Sequence, residues 1–167
     1  DLVSHPRGEA RLRRIVALFH RPLVVLGNHD VAVTRDPFSR AAELDDLEEA
    51  MLLRDEAVTL EIRGVPVQVV GVDAETYPRG ESRPASLADP SAPLRILLCH
   101  FPSIGRRLPA GTFHLTLAGH LHAGQLCVPL PGRGPVTLAH PRATYVAGLY
   151  DTQGGRMHVS PGTGTTF

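Results

Sequence analysis

Short apolar runs, each ended by glycine or by a polar residue, divide most of the chain. Runs of branched apolar residues predict buried strands, and alternation of apolar with polar residues predicts half-buried ones. Strands are predicted over Pro22–Leu26, Ala57–Arg63, Val65–Val72, Leu94–Cys99, His114–Ala118, Thr144–Tyr150 and Arg156–Ser160, with a short extended segment over Leu126–Leu130. Gln153-Gly154-Gly155 separates the last two strands and predicts a hairpin turn. The chain is therefore expected to be built around β-sheet.

Helical periodicity predicts two helices. Apolar residues recur every three to four positions over Pro6–Phe19 and again over Phe38–Leu53. Asp36-Pro37 precedes the second segment and resembles a cap followed by proline at the first helical position. Segments rich in proline, glycine and charge predict surface loops over Asp73–Pro93 and Pro131–Pro141. The alternation of helices with apolar strands predicts a single α/β domain over residues 1–167.

Composition narrows the classes of function. The 167 residues are 43% hydrophobic and 20% charged, with a formal net charge of zero, which gives no indication of a general nucleic-acid or membrane-surface binder. The two cysteines, Cys99 and Cys127, lie in apolar runs and predict free buried thiols. No apolar run has the length of a membrane span and no signal peptide opens the chain. A cytoplasmic location is expected.

Polar side chains with metal-binding chemistry follow three of the predicted strands. They are Asn28, His29 and Asp30 after one strand, His100 after another, and His120 and His122 after a third. Neighbouring strand ends lie close together, so these groups are expected to share one edge of a sheet. Imidazole nitrogens with amide or carboxylate oxygens suit Mn, Fe or Zn. A purely structural zinc site is disfavoured because no cysteine joins the group.

Three motifs together resemble the calcineurin-like metallophosphoesterases: Gly27-Asn28-His29-Asp30, Leu97-Leu98-Cys99-His100 and Gly119-His120-Leu121-His122. Asp1-Leu2-Val3 resembles the continuation of that family's Gly-Asp motif. Ala123-Gly124-Gln125, Tyr145–Tyr150 and Val159–Gly164 resemble a bacterial branch that acts on nucleotide-linked diacylglucosamine, the UDP-2,3-diacylglucosamine pyrophosphatase-like enzymes.

The resemblance implies a fold, two divalent metal ions and a role for each matched residue. The fold would be a four-layer α/β/β/α sandwich with mixed β-sheets. Asp1 would bridge the two metals, Asn28, His100 and His120 would complete one metal's ligands, and His122 would bind the other. His29 would lie near the scissile phosphate and be oriented by Asp30. The implied activity is hydrolysis of a phosphodiester or diphosphate bond by a two-metal-activated water.

One feature departs from the family pattern. The family opens with an Asp-x-His motif on a first strand, and no such motif precedes Asn28 in this sequence. The chain is therefore expected to lack the N-terminal βα unit and two metal ligands. An alternative hypothesis is a catalytically incomplete metal-binding or scaffold form of the same fold.

The branch resemblance also implies a substrate. A phosphodiester or a nucleotide-diphospho-lipid is expected, with peripheral membrane association of the full-length protein and no nucleic-acid partner. We expect the Asp73–Pro93 and Pro131–Pro141 loops to wall the site, with Arg79, Arg83 or Arg133 meeting phosphate.

Overall fold

The computed structural model describes residues 1–47, 50–125, 127–130, 133–137 and 141–163. The strands within these ranges are, in chain order, β1 (Leu23–Val24), β2 (Met51–Leu52), β3 (Glu56–Ile62), β4 (Val65–Gly71), β5 (Leu94–Leu98), β6 (Leu115–Ala118), β7 (Cys127–Leu130), β8 (Arg133–Thr137), β9 (Gly148–Thr152) and β10 (Gly155–Val159). The described α-helices are α1 (Glu9–Val16), α2 (Thr76–Arg79) and α3 (Pro84–Leu87), and 3₁₀ turns cover Pro6–Gly8, Pro102–Arg106 and His122–Gly124.

The main sheet has six strands among the described residues, in the order β3-β4-β5-β6-β10-β9. The β4, β5, β6 and β10 strands are parallel neighbours, whereas β3 and β9 are antiparallel edge strands. The described pairs β1–β2 and β7–β8 lie outside this sheet. The predicted mixed α/β class is confirmed, while the four-layer sandwich stays a prediction.

Each face of the main sheet buries apolar side chains. On one face Val67 and Val69 pack with Leu53 and with side chains of the β1–β2 pair. On the other, Val70, Leu97 and Met157 form a core with the segment that follows β5. Helix α1 buries Leu12 and Val16 in a third cluster with Leu26, Leu44 and Leu47. The loop after β1 is thus held between α1 and the main sheet.

The predicted helix over Phe38–Leu53 is wrong for the described part of that segment. No helix forms over 38–47, and Met51–Leu52 is β2, which pairs in parallel with β1. The Arg40 N–H donates to Ser4 O and the Ala42 N–H to Asp30 O, each at 3.0 Å. Carbonyl oxygens of other segments accept hydrogen bonds from these N–H groups, so the groups need no partner within a helix. Glu48 and Glu49 lie outside the described residues.

Other boundaries move for similar reasons. The Pro6–Phe19 helix is shortened to the Pro6–Gly8 turn and α1, and the predicted Asp73–Pro93 loop contains α2 and α3. Asp73 Oδ1 accepts from the N–H groups of Glu75 and Thr76, at 2.7 and 3.1 Å, which turns the chain into α2.

Two further boundaries change near the C-terminal end. The predicted Thr144–Tyr150 strand starts only at Gly148, because the Val146 and Ala147 N–H groups lie 3.1 and 3.3 Å from the Tyr150 hydroxyl oxygen instead of pairing in the sheet. The predicted Pro131–Pro141 loop is interrupted by β8, which pairs with β7. Its residues 131, 132 and 138–140 lie outside the described residues.

Candidate metal centre

Parallel pairing places His100 and His120 at the same edge of the main sheet. Strands β5 and β6 are neighbours in which Leu98 is opposite Leu117. The pairing continues beyond both strands, where the Gly119 N–H donates to His100 O at 3.1 Å. Both histidines therefore follow carboxyl ends of parallel strands, as their apolar runs predicted.

Asp30 brings the start of the chain to this edge. It is 1% exposed, and its carboxylate accepts from the N–H groups of Leu2, Val3 and Gly27 at 2.7–2.9 Å. The Leu2 N–H is shared between the two oxygens. A buried carboxylate is stabilised by several backbone donors of this kind. Asp30 thus joins residues 1–3 to the loop after β1 and positions Asp1.

Gly27 leaves space for the Asp1 carboxylate. A Cβ placed on Gly27 would lie 2.2 Å from Asp1 Oδ1 and 2.7 Å from His100 Cε1. Both separations are far below van der Waals contact, so a side chain here would displace Asp1 or His100. The His29 N–H donates to the same Asp1 oxygen at 2.9 Å. Gly27 is therefore required by the close approach of Asp1 and His100.

Three donor atoms surround one nitrogen of His100. Its Nε2 lies 2.9 Å from Asn28 Oδ1, 3.0 Å from His120 Nδ1 and 3.4 Å from Asp1 Oδ1. A neutral imidazole nitrogen carries at most one hydrogen, so hydrogen bonding can satisfy only one of these contacts. The three atoms around His100 Nε2 therefore offer it more lone pairs than it has hydrogens to donate.

The spacing fits a shared cation. With metal–ligand bonds of about 2.1 Å, two donors on one ion lie roughly 3.0–3.4 Å apart, which is close to the separations measured from His100 Nε2. Asp1, His100 and His120 each offer a ligand atom within 4.8 Å of the others, and Asn28 adds an amide oxygen. This mixed nitrogen and oxygen set suits Mn, Fe or Zn.

His100 has the protonation state that a ligand needs. Burial is the main cause that lowers the pKa of His100 to about 2, so the ring is neutral. A neutral ring keeps a lone pair on one of its two nitrogens, and that lone pair is what a metal ion binds.

His29 lies beside the cluster but does not pair with Asp30, contrary to the sequence expectation. The Asp30 oxygens are occupied by backbone donors, and no hydrogen bond joins them to His29 among the described residues. His29 Nδ1 is buried without a hydrogen-bond partner, and it lies 3.7 Å from Asp36 Oδ2. Asp36 is the carboxylate next to this ring, whereas the sequence indicated only a helix cap there.

An open cleft of about 380 Å³ lies above the cluster. It is lined by Asp1, His100 and His120, and also by His122 and by residues 160–163 after β10. His122 is outside the cluster of Asp1, His100 and His120. Its backbone φ is 46°, and His120, two residues earlier, has a φ of 74°. Positive φ values at residues other than glycine store strain and are common at functional sites.

The expected phosphate-binding arginines lie elsewhere. The Arg79 guanidinium pairs with Glu81 at 2.9 Å, and the Arg83 guanidinium donates to the carbonyls of Gly80 and Ser82. Neither lines the cleft above the cluster. The side chain of Arg133 lies outside the described residues.

None of the described helices has the length and the apolar character that a membrane span requires.

Comparison with known proteins gives one relative. No model of a known protein family matches the chain. Over 142 residues, which are 85% of the chain, it is 25% identical to an uncharacterized metallophosphoesterase of Bacillus subtilis, YkoQ. The chain covers 52% of that protein and so spans about half the length of this relative. The similarity supports a relationship to the metallophosphoesterase superfamily, in agreement with the strand-end motifs.

Proposed function

We propose that this chain carries the metal centre of a metal-dependent phosphoesterase. The observation that carries the proposal is the convergence of Asn28 Oδ1, His120 Nδ1 and Asp1 Oδ1 on His100 Nε2. The single hydrogen that His100 Nε2 can carry does not account for three such close contacts, whereas one divalent cation would be shared by all four atoms. The similarity to a metallophosphoesterase supports the same conclusion.

The residues of the chain divide the chemical work. A bound cation would supply Lewis-acid stabilisation of the phosphoryl oxygens and a water acidified to near neutral pH. Asn28, His100, His120 and Asp1 hold the cation. The backbone N–H of His29 donates to Asp1, which fixes the imidazole next to the centre. His29 then donates a proton to the leaving oxygen, and Asp36 balances the charge of its protonated ring.

The finer proposal follows from the resemblance. The scissile bond belongs to a phosphodiester or a diphosphate, such as a nucleotide-diphospho-lipid, and two cations act together. His122 and Asp1 would hold the second cation together with ligands from an Asp-x-His motif on a longer chain. Manganese, iron and zinc suit the donor set. The four-layer sandwich and peripheral membrane association belong to the same proposal.

A second candidate is a metal-binding scaffold without turnover. It is favoured by the uneven distribution of ligands, because His122 lies outside the cluster formed by Asp1, His100 and His120. One cation position is thus better supplied with donors than the other, and two-metal phosphoryl chemistry needs both.

Metal content and hydrolysis separate the two candidates. The purified chain is loaded with manganese or zinc, its metal is counted by mass spectrometry, and hydrolysis of bis(p-nitrophenyl) phosphate is followed. A longer version of the chain carrying an upstream Asp-x-His strand is measured in parallel, with a third version in which that Asp and His are alanine.

If the chain belongs to an enzyme, we expect it to bind metal through the cluster and to hydrolyse the diester. The version with the Asp-x-His strand should then hold more metal and hydrolyse the diester faster than the version in which that Asp and His are alanine. Metal binding without hydrolysis in every version favours the scaffold. Absence of divalent metal binding in every version contradicts both candidates.

A further inference from the structure

A second cleft, of about 230 Å³, shares His120 with the metal centre. Its other walls come from the turn after β5 and from the segment before β9. The side chains that matter here are Phe101, Arg106, Arg142 and Tyr145. Because His120 lines both clefts, the second cleft adjoins the metal centre at this ring.

The second cleft is positively charged. Its lining includes the guanidinium groups of Arg106 and Arg142 and no carboxylate among the described residues. Arg106 donates to the Thr144 hydroxyl, and none of the described acids pairs with either arginine. By contrast, Arg54 pairs with Asp73 and Arg156 with Asp151. Two unpaired cations beside one small cleft attract an anion.

The aromatic walls of this cleft are fixed by packing. The Phe101 ring stacks on Tyr77 and meets the edge of His120, each at a centroid distance of 5.0 Å. Tyr145 packs against Tyr150 at 5.1 Å, and a Cβ on Gly105 would lie 3.2 Å from the Tyr145 ring. The Tyr150 hydroxyl donates to Ala147 O at 2.9 Å, which holds the Tyr145 segment. These contacts preorganise the cleft.

We infer that this second cleft is a substrate subsite for a planar group that bears an anionic substituent. The inference rests on the proposed function, because it takes the phosphoryl group to lie at the metal centre. Phe101 and Tyr145 contact the faces or edges of the planar group. Arg106 and Arg142 bind its anionic substituent through charge-assisted hydrogen bonds. The preferred substrates are thus phosphoesters with a second negative charge on the organic group.

Two phosphonates that differ by one carboxylate test this subsite. Phenylphosphonate and 4-carboxyphenylphosphonate are titrated into the manganese-loaded protein by calorimetry. We expect the carboxylate to tighten binding about tenfold, through its contacts with the two guanidinium groups. In the double variant Arg106→Gln/Arg142→Gln the two ligands should bind with equal affinity. Both arginine side chains are exposed, so their substitution should leave the hydrophobic core and the folding of the protein intact.

A control variant removes the same charge elsewhere. Arg11→Gln/Arg156→Gln changes two exposed arginines away from the second cleft and should retain the tenfold preference. Equal binding of both phosphonates to the wild-type protein would overturn the subsite alone. So would a preference that survives in the Arg106/Arg142 variant or disappears in the control. Failure of both phosphonates to bind the manganese-loaded protein would instead overturn the proposed function, and the subsite with it.

Discussion

His29 Nδ1 lies 3.7 Å from Asp36 Oδ2. The carboxylate of Asp30, which directly follows His29 in the sequence, instead accepts hydrogen bonds from backbone N–H groups. The two aspartates thus have different surroundings. Asp36 is partly exposed, with 31% of its side chain accessible, whereas Asp30 is fully buried. Substitution of these two carboxylates should therefore separate an effect on turnover from an effect on folding.

His29→Gln should lower turnover without removing metal. A positioned proton donor contributes roughly 10²–10⁴-fold, and the His29 ring is not part of the ligand cluster. Asp36→Asn should lower turnover by only about two- to fivefold, since a partly exposed charge pair is worth little. Hydrolysis of bis(p-nitrophenyl) phosphate and metal content are measured together. Loss of metal in His29→Gln would contradict the role assigned to this ring.

Asp30→Asn should destabilise the fold. The carboxylate accepts from Leu2, Val3 and Gly27, and a carboxamide of the same shape directs its NH₂ group at donors. We expect a loss of roughly 1.5–3 kcal/mol in the free energy of unfolding, measured with urea. Asp151→Asn is the control, because the Asp151 side chain is exposed and pairs only at the surface with Arg156. Equal stability of the two variants would show that the Asp30 contacts contribute nothing.

His120→Ala should abolish the stabilisation that metal gives. A cation that binds only the folded state, present at about 100 times its Kd, adds roughly 2.7 kcal/mol. Thermal melts with manganese and after chelation should differ for the wild-type chain and coincide for His120→Ala. His158→Ala, at an exposed position on β10, should keep the difference. A metal-dependent shift that persists in His120→Ala would place the cation elsewhere.

Gly27→Ala should weaken metal binding through steric displacement of Asp1. The added Cβ would meet Asp1 Oδ1 at 2.2 Å, and the ligand cannot keep its place. Gly119→Ala makes the same chemical change at the end of β6, where a Cβ has no atom within 4 Å. Metal titration of both variants should show a loss of affinity for Gly27→Ala alone. Matching losses in the two variants would argue against the steric cause.

The place of His100 and His120 at strand ends was predictable from the apolar runs before them, and parallel pairing of β5 with β6 brings the two rings together. The expectation that Asn28 would follow a strand of the same sheet is wrong, because β1 pairs with β2 outside the main sheet, although Asn28 still reaches His100.

The partners within the site were not predictable to the same degree. Asp30 neighbours His29 in sequence, but the turn sends its carboxylate toward Leu2 and Val3, which sequence spacing does not reveal. Arg142 lines the second cleft together with Phe101 and Arg106, which are far from it in sequence, and sequence spacing does not reveal such a tertiary arrangement. Leu44 and Leu47 are both buried although the segment that carries them is irregular. Their helical spacing therefore predicted a helix that does not form.

The Asp30 contacts have a consequence for folding kinetics. Leu2 and Val3 contact Asp30 at sequence separations of 28 and 27 residues, whereas Asp1 contacts His100 at a separation of 99. Closure of the longer loop costs more chain entropy, and contacts of such separation form late. A cation held by Asp1, His100 and His120 would therefore act after the transition state. It would slow unfolding far more than it speeds refolding, so the bound ion would prolong the lifetime of the native protein.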